Sequence, residues 1–450
     1  MAQLGEAIAR YHKLFEQDGF RELSWAEELQ DRMRQQGLVD SGRLVAPVLR
    51  PQFISRSQLD ALTQSTEQLA CILADFKAHA LQTPALLNRL QMLPAEKMLA
   101  SVPSALPVGC VASCMDANLQ NGSLCISGYH PCKPRALAYS EPLADLFLDL
   151  PLVKTFKRNR YKLSKIGGAK RLLSAVLQAW KAFGGTREPN IAIIEFAESN
   201  GNGSPEGQLL ANLFNEAGVT ARTVSPEALS YQCGRVRAGN FEVDIVFRRF
   251  LTRELLAHFD LTHPLLTAYR DRAVCVVNDF RSELANRRAL FDLLTDETAT
   301  AHLSAAEHKL IRHAVSWTRV VAKRKTKYKD GEIDLIDFIL KNRSRLILRP
   351  NEDGDDHRVF IGAEMSDFGW EGALRIALRT PYVVQERSCS GRQSVPVYQY
   401  GELQMKDAEV SVHPQLFNGK MQGASAALET CTGGCTSPLA IAPVLLLEEN

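Results

Sequence analysis

Asp116 and His130 are the first residues in this chain whose types and spacing suggest chemistry. They flank the Asn-Gly-Ser turn in "GCVASCMDANLQNGSLCISGYHPCKPRALAYSEPL", residues 109–143. A carboxylate, an imidazole and four cysteines in one short stretch pose three readings: a metal site, a phosphate loop, or the remnant of a site. Other groups belong with them. Arg349 closes the run "RLILRP", and the acidic loop "NEDGDDHRVF" follows it. Gln385 and Glu386 end "PYVVQE"; Glu429 stands shortly before Gly433 and Gly434. The glycines of "SNGNGSPEG" precede a helix, where backbone N–H groups can meet phosphate. Their spacing is not that of a dinucleotide or P-loop fingerprint, and an ordinary loop is the simpler reading.

Composition narrows the classes. The chain has 450 residues, 45% hydrophobic and 23% charged, enough for two or three domains with their own cores. Lys plus Arg is 53 against 51 acids, a net charge of +2, which gives no support to a nucleic-acid or membrane-surface role. The charged N-terminus has no apolar leader, and no uncharged run approaches the ~20 residues of a membrane helix. The ten cysteines include no CxxC pair, so buried reduced thiols and a cytoplasmic location are expected.

Four segments follow from periodicity. Residues 1–100 read as helical, with Ser55 or Ser57 capping a helix through "QLDALTQSTEQLACILADFKAHAL". Residues 101–185 hold a hairpin, signalled by Asn121-Gly122, and then a basic helix pair. Residues 186–300 alternate strand and helix, as a parallel sheet with crossovers requires. Residues 301–450 begin helical and turn to strands. The fold class is α/β (α+β).

The order of "LRPQF", "SCMDANL…YHPCKPRALAYSEPLADLFLDLP", "VDIVFRRFL…VNDFRSELANRRALFDLL", "SWTR", "LILRPNEDGDDHRVFIG", the Trp370 helix, "PYVVQE" and "TGGCTSP" resembles circularly permuted ATP-grasp proteins, those similar to glutathionylspermidine synthetase. The resemblance spans roughly residues 48–450. It implies an ATP-grasp core split between 101–185 and 301–450, a pre-ATP-grasp domain at 186–300, and ATP with Mg²⁺ as cofactors. Such enzymes phosphorylate a carboxylate and let an amine attack the acylphosphate.

Carried over residue by residue, the resemblance makes Asp116 a metal ligand and catalytic candidate, with Arg319 as a second catalytic candidate. Arg349, Gln385, Glu386, Gly433 and Gly434 become nucleotide contacts. The family has an Arg, a Glu and an Asn where this chain has Cys114, Gly128 and His130, leaving Asp116, His130 and Glu429 as the weak metal set. Imidazole suits zinc or nickel better than Mg²⁺. Glu352, Asp353, Asp355 and Asp356 are expected to face the phosphates with the wrong sign. Asp116 and His130 are expected to lie across a cleft from the 349–358 loop. The expected function is a ligase-like protein with a degenerate site, acting as a nucleotide- or partner-binding subunit, its partner an active relative or another protein. The alternative is an active carboxylate–amine ligase with a divergent metal site that includes Glu409 or Asp407, taking small acid and amine substrates.

Overall fold

The computed structural model describes residues 2–104, 106, 110–120, 123–158, 160–196, 204–329, 331–352, 358–387, 392–432 and 435–449. Gly433, Gly434, Asp353, Asp355, Asp356 and the hairpin turn lie outside the described residues.

Three sheets place the site. The largest has the order Gln52–Ser55, Cys435–Glu449, Lys420–Thr432, Glu402–Phe417, Ala112–Gln120, Ser123–His130, with Arg392–Gln399 and Tyr161–Lys165 pairing on as side strands. Alternation gives this sheet one apolar face. Met115, Ala117, Ile126, Val410, Val412, Ala426 and Leu428 are buried in a core shared with Leu69, Ile72, Leu73 and Phe76 of the helix Arg56–Gln82. Ser55 caps that helix in a capping box with Gln58, fulfilling one of the two expected caps.

The second sheet is parallel, in the order Cys275–Val277, Ile245–Arg248, Ile191–Ile194, Ala221–Val224. Cys275–Val277, Ile245–Arg248 and Ile191–Ile194 are buried on both faces, the pattern that crossover helices produce, and Ala221–Val224 is the partly exposed edge. The third sheet is antiparallel: Thr318–Val320, Tyr382–Glu386, Leu346–Pro350, Phe360–Ile361. Leu346, Leu348, Val384 and Trp370 form the core behind it.

One expectation needs correction. The basic helix pair is interrupted: Pro151–Lys157 and Ala169–Phe183 are helices, but Tyr161–Lys165 between them is a strand on the large sheet. Alternating burial of Tyr161 and Leu163 identifies it, and the lysines had masked the period. Lys420–Thr432 and Cys435–Glu449 are two long strands, in the segment expected to turn to strands, and the second includes Pro438 and Pro443.

The parallel sheet is stitched to the floor hairpin by Asn278. Its side chain accepts from Val111 N and Ala112 N and donates to Ala112 O and Pro131 O. Arg248, with no exposed side-chain surface, adds a second stitch. It donates to Glu283, Thr252 Oγ1, the carbonyls of Phe250, Asn278 and Asp279, and Cys132 Sγ.

Candidate functional site

The polar face of the large sheet and the third sheet enclose a cavity of about 230 Å³. Period-two alternation fills its floor. Glu409, Ser411 and His413 point into it from one strand, while Val410 and Val412 point to the core. Asp116, Asn118, Ser127 and Glu429 complete the floor. The roof is Ile347, Arg349, Val359, Ile361, Gln385, Glu386 and Arg387, with Arg135 and Arg288 at its margins. Four arginines and four carboxylates thus share one cleft with a small apolar roof. Asp116 and Arg349 face the same space, as expected of them.

Gln385 ties roof to floor. Buried, it donates to Ser127 O at 3.2 Å and to Thr318 Oγ1 at 3.0 Å, and accepts from Arg349 Nη1 at 3.5 Å. Glu386 accepts from the Tyr328 hydroxyl at 2.7 Å. Arg387 is ion-paired with Glu409.

His130 turns away from the cleft and lines a second cavity of about 580 Å³ with Lys133, Glu195, Glu206 and Arg249. Its Nε2 is 2.9 Å from Asp116 Oδ2, so the pair forms the wall between the two cavities. His413 Nε2 lies 3.4 Å from Asp116 Oδ1. Burial alone raises the Asp116 pKa, but His130, His413 and Arg135 hold it well below the usual carboxylate range. Burial drops His413 to about 4 against the pull of Asp116, so it is a neutral imidazole at physiological pH. Glu429 is raised, first by burial, with Arg349 opposing.

Gly128 explains why the Asp–His pair can form. It is the cross-strand partner of Asp116, and a Cβ there would stand 2.3 Å from Asp116 Oδ2 and 3.0 Å from His130 Nε2. The carboxylate lies in the space that a side chain would take.

Several expectations change. Asp116, His130 and Glu429 do not close around one point. Among the described residues, the group of three His, Cys, Asp or Glu ligand atoms within 4.8 Å of one another is Glu96, Glu283 and Glu352. That buried trio meets three guanidiniums: Arg287 bridges Glu96 and Glu352, Arg253 holds Glu352 at 3.1 Å, and Arg248 holds Glu283 at 2.6 Å. The arginines take the place a metal would have. Glu352 therefore does not face the cleft; it is 2% exposed and anchors the stem of the acidic loop to the parallel-sheet unit. Arg319 is buried, and none of its nitrogens reaches the cleft. Its N–H groups go to Thr326 Oγ1, Thr295 Oγ1 and the carbonyls of Thr318, Thr295 and Lys327. It is a scaffold residue.

Burial lifts Glu352 to about 7, despite Arg287. Its folded pKa exceeds the unfolded value of 4.5, so the native state holds the extra proton between pH 4.5 and 7 and stability falls as pH rises through that window. Relative to Glu352→Gln, the parent should lose up to about 3 kcal/mol of unfolding free energy from pH 5 to pH 8. Chemical denaturation of both at the two pH values checks this; parallel pH profiles contradict it.

Sequence reasoning missed Arg135, Arg288, Asn118 and Ser127. The alternation "EVSVH" at 409–413 was the available signal for the floor, and read as a strand it gives Glu409, Ser411 and His413 one face.

No family model matches the sequence, and no curated protein sequence matches it. Solved structures do. A glutathione synthetase-like effector from Globodera pallida, in its apo form, aligns with a TM-score of 0.59 and 13% identity, covering 96% of this chain and 95% of the other. The fold is ATP-grasp-like. A gamma-glutamylcysteine synthetase candidate from Methylobacillus flagellatus aligns at a TM-score of 0.44 and 10% identity over 87% and 89% of the two chains. A RimK domain ATP-grasp protein from Sphaerobacter thermophilus gives 0.27 and 15% over 56% and 90%. The ATP-grasp-like chain carries no described helix long and apolar enough to cross a membrane. Cys71, Cys110, Cys114, Cys125, Cys132, Cys233 and Cys275 are free thiols.

Proposed function

We propose that this ATP-grasp-like protein binds a nucleotide in the 230 Å³ cleft through arginines, without magnesium, and acts as a non-catalytic nucleotide- or partner-binding subunit. The cleft suits ATP in outline. Ile347, Val359 and Ile361 offer an apolar roof for a base, and Glu386 lies at the strand end beside them. Leu346 pairs with Glu386 and Arg349 with Val383, so Arg349 sits three residues, roughly 10 Å, along the strand from the base end. Phosphates reaching that far meet Arg349, Arg288 and Arg135.

Asp116, the oxygen ligand that the resemblance implies for magnesium, is already engaged. Mg²⁺ takes an octahedron of oxygens. Asp116 Oδ2 is held by His130, and only Oδ1 lacks a hydrogen bond, facing an imidazole at 3.4 Å. The engaged Asp116 carboxylate is the observation that carries the proposal. Calorimetric titration of ATP in the presence of EDTA tests it. Binding is expected without the metal; no binding in EDTA contradicts it.

One observation favours an active carboxylate–amine ligase instead. The 580 Å³ cavity adjoins the cleft at Arg135, giving room beside the phosphates for an acid and an amine. Formation of ADP in the presence of such a pair would select that reading.

A further inference from the structure

We propose that Cys110 and Lys77 form a peroxide-reactive modification site. Hydrogen peroxide oxidises the thiol, and the lysine captures the oxidised sulfur as a sulfur–nitrogen cross-link. The proposal is independent of the nucleotide reading above.

The site lies on the core side of the floor hairpin, behind the cleft. Lys77 belongs to the helix Arg56–Gln82 and is 7% exposed. A lysine so buried is ordinarily paired with a carboxylate. Among the described residues no carboxylate forms an ion pair with it, and its Nζ donates to Cys110 Sγ at 3.8 Å. Cys110 Sγ donates in turn to Ser282 Oγ at 3.8 Å. The backbone just beyond the thiol is fixed, because Val111 N and Ala112 N donate to Asn278 Oδ1 at 2.6 and 3.2 Å. Ammonium and sulfur are thus brought together by two held elements, 33 residues apart in the chain.

A cavity of about 30 Å³ opens at this contact, its polar side lined by Lys77, Cys110, Ser113 and Tyr129. That space admits a molecule about the size of one or two waters, which suits hydrogen peroxide and excludes bulkier electrophiles. The other thiols differ. Cys114, Cys132 and Cys275 are buried, and Cys71 and Cys233 are exposed. Cys110 is half-buried and accepts from a lysine, and reactive thiols occur in such partly exposed, electropositive surroundings.

The chemistry balances in two steps. Cys110 Sγ loses its proton to solvent and attacks one peroxide oxygen, forming an S–O bond as the O–O bond breaks. Lys77 gives a proton to the departing hydroxide, which leaves as water. Sulfur is oxidised to a sulfenic acid, peroxide is reduced, and Lys77 becomes a neutral amine. Its Nζ then attacks Sγ, and the S–O bond breaks with loss of a second water. The product is a sulfenamide between Cys110 and Lys77, two hydrogens lighter than the parent pair. A thiol reductant reverses it.

Graded hydrogen peroxide on the full-length protein, followed by tryptic digestion and mass spectrometry, tests the assignment. Cys110 is expected to react at a dose about tenfold below that for Cys71 and Cys233. Its peptide should appear joined to that of Lys77 with loss of two hydrogens. Trypsin should no longer cut after Lys77, and dithiothreitol should restore the cut. Lys77→Arg keeps the cation without the nucleophilic amine, so Cys110 should remain a sulfenic acid that dimedone traps. Cys110 reacting no faster than Cys71 and Cys233 in the parent overturns the proposal. So does an oxidised Cys110 beside a Lys77 that trypsin still cleaves. Both outcomes are read on the parent, whatever the variant's stability.

Discussion

Gly128→Ala is expected to separate Asp116 from His130 and to destabilise the protein by about 2–4 kcal/mol, the sum of an overpacked contact and a weakened buried hydrogen bond. The added methyl would begin 2.3 Å from Asp116 Oδ2, inside van der Waals contact, and the buried carboxylate has few places to go. Urea unfolding would show the loss; a change below about 0.5 kcal/mol would mean that Asp116 swings aside freely. The same contact bears on rebuilding the metal ligands that the resemblance implies. Gly128→Glu with His130→Asn restores two oxygens on paper, yet the glutamate would start within the space of the Asp116 carboxylate that it must join. That double variant is expected to gain no Mg²⁺-dependent ATP affinity. A gain would show that the floor can reopen around Asp116.

Arg248→Met should cost about 3–5 kcal/mol, because it leaves the fully buried Glu283 carboxylate without its counter-charge and frees the carbonyls at the seam. Burial raises the Glu283 pKa, and Arg248 is the first charge that brings it down below the usual value. Adding Glu283→Gln should recover a good part of the loss, since removing both charges costs less than orphaning one. Denaturation of the two single variants and the double variant checks this. A double variant as unstable as the sum of the singles would show that the pair itself contributes little.

The elements most legible in the sequence were those with strong period or strong punctuation. Alternation of strand and helix between 191 and 277 announced the parallel sheet, and apolar residues at three- and four-residue steps behind Ser55 or Ser57 announced the long helix. The strands Lys420–Thr432 and Cys435–Glu449 were obscured because alanine, glycine, serine and threonine dominate the first and two prolines interrupt the second. Proline is ordinarily excluded from interior strands; Pro438 lies beside a register shift between Leu428 and Glu429, whereas Pro443 pairs in register with Ser425. In the site, Asp116, Arg349, Gln385 and Glu386 were found because a resemblance named their positions. Arg135 and Arg288 were not, because their place in the cleft depends on a pinned loop and on a segment that packs against Pro350 and Asn351 from over sixty residues away. Glu352 was placed wrongly for the same reason. In sequence it belongs to an acidic loop; in space it belongs to Arg287 and Arg253.

The claim that arginines replace magnesium in the cleft is tested most directly by the affinity for ATP measured by calorimetry with EDTA and with Mg²⁺, in the parent and in Asp116→Ala. The two parent affinities are expected to agree within tenfold, and Asp116→Ala should leave their ratio unchanged. A tenfold or greater tightening by Mg²⁺ that disappears in Asp116→Ala would contradict the account.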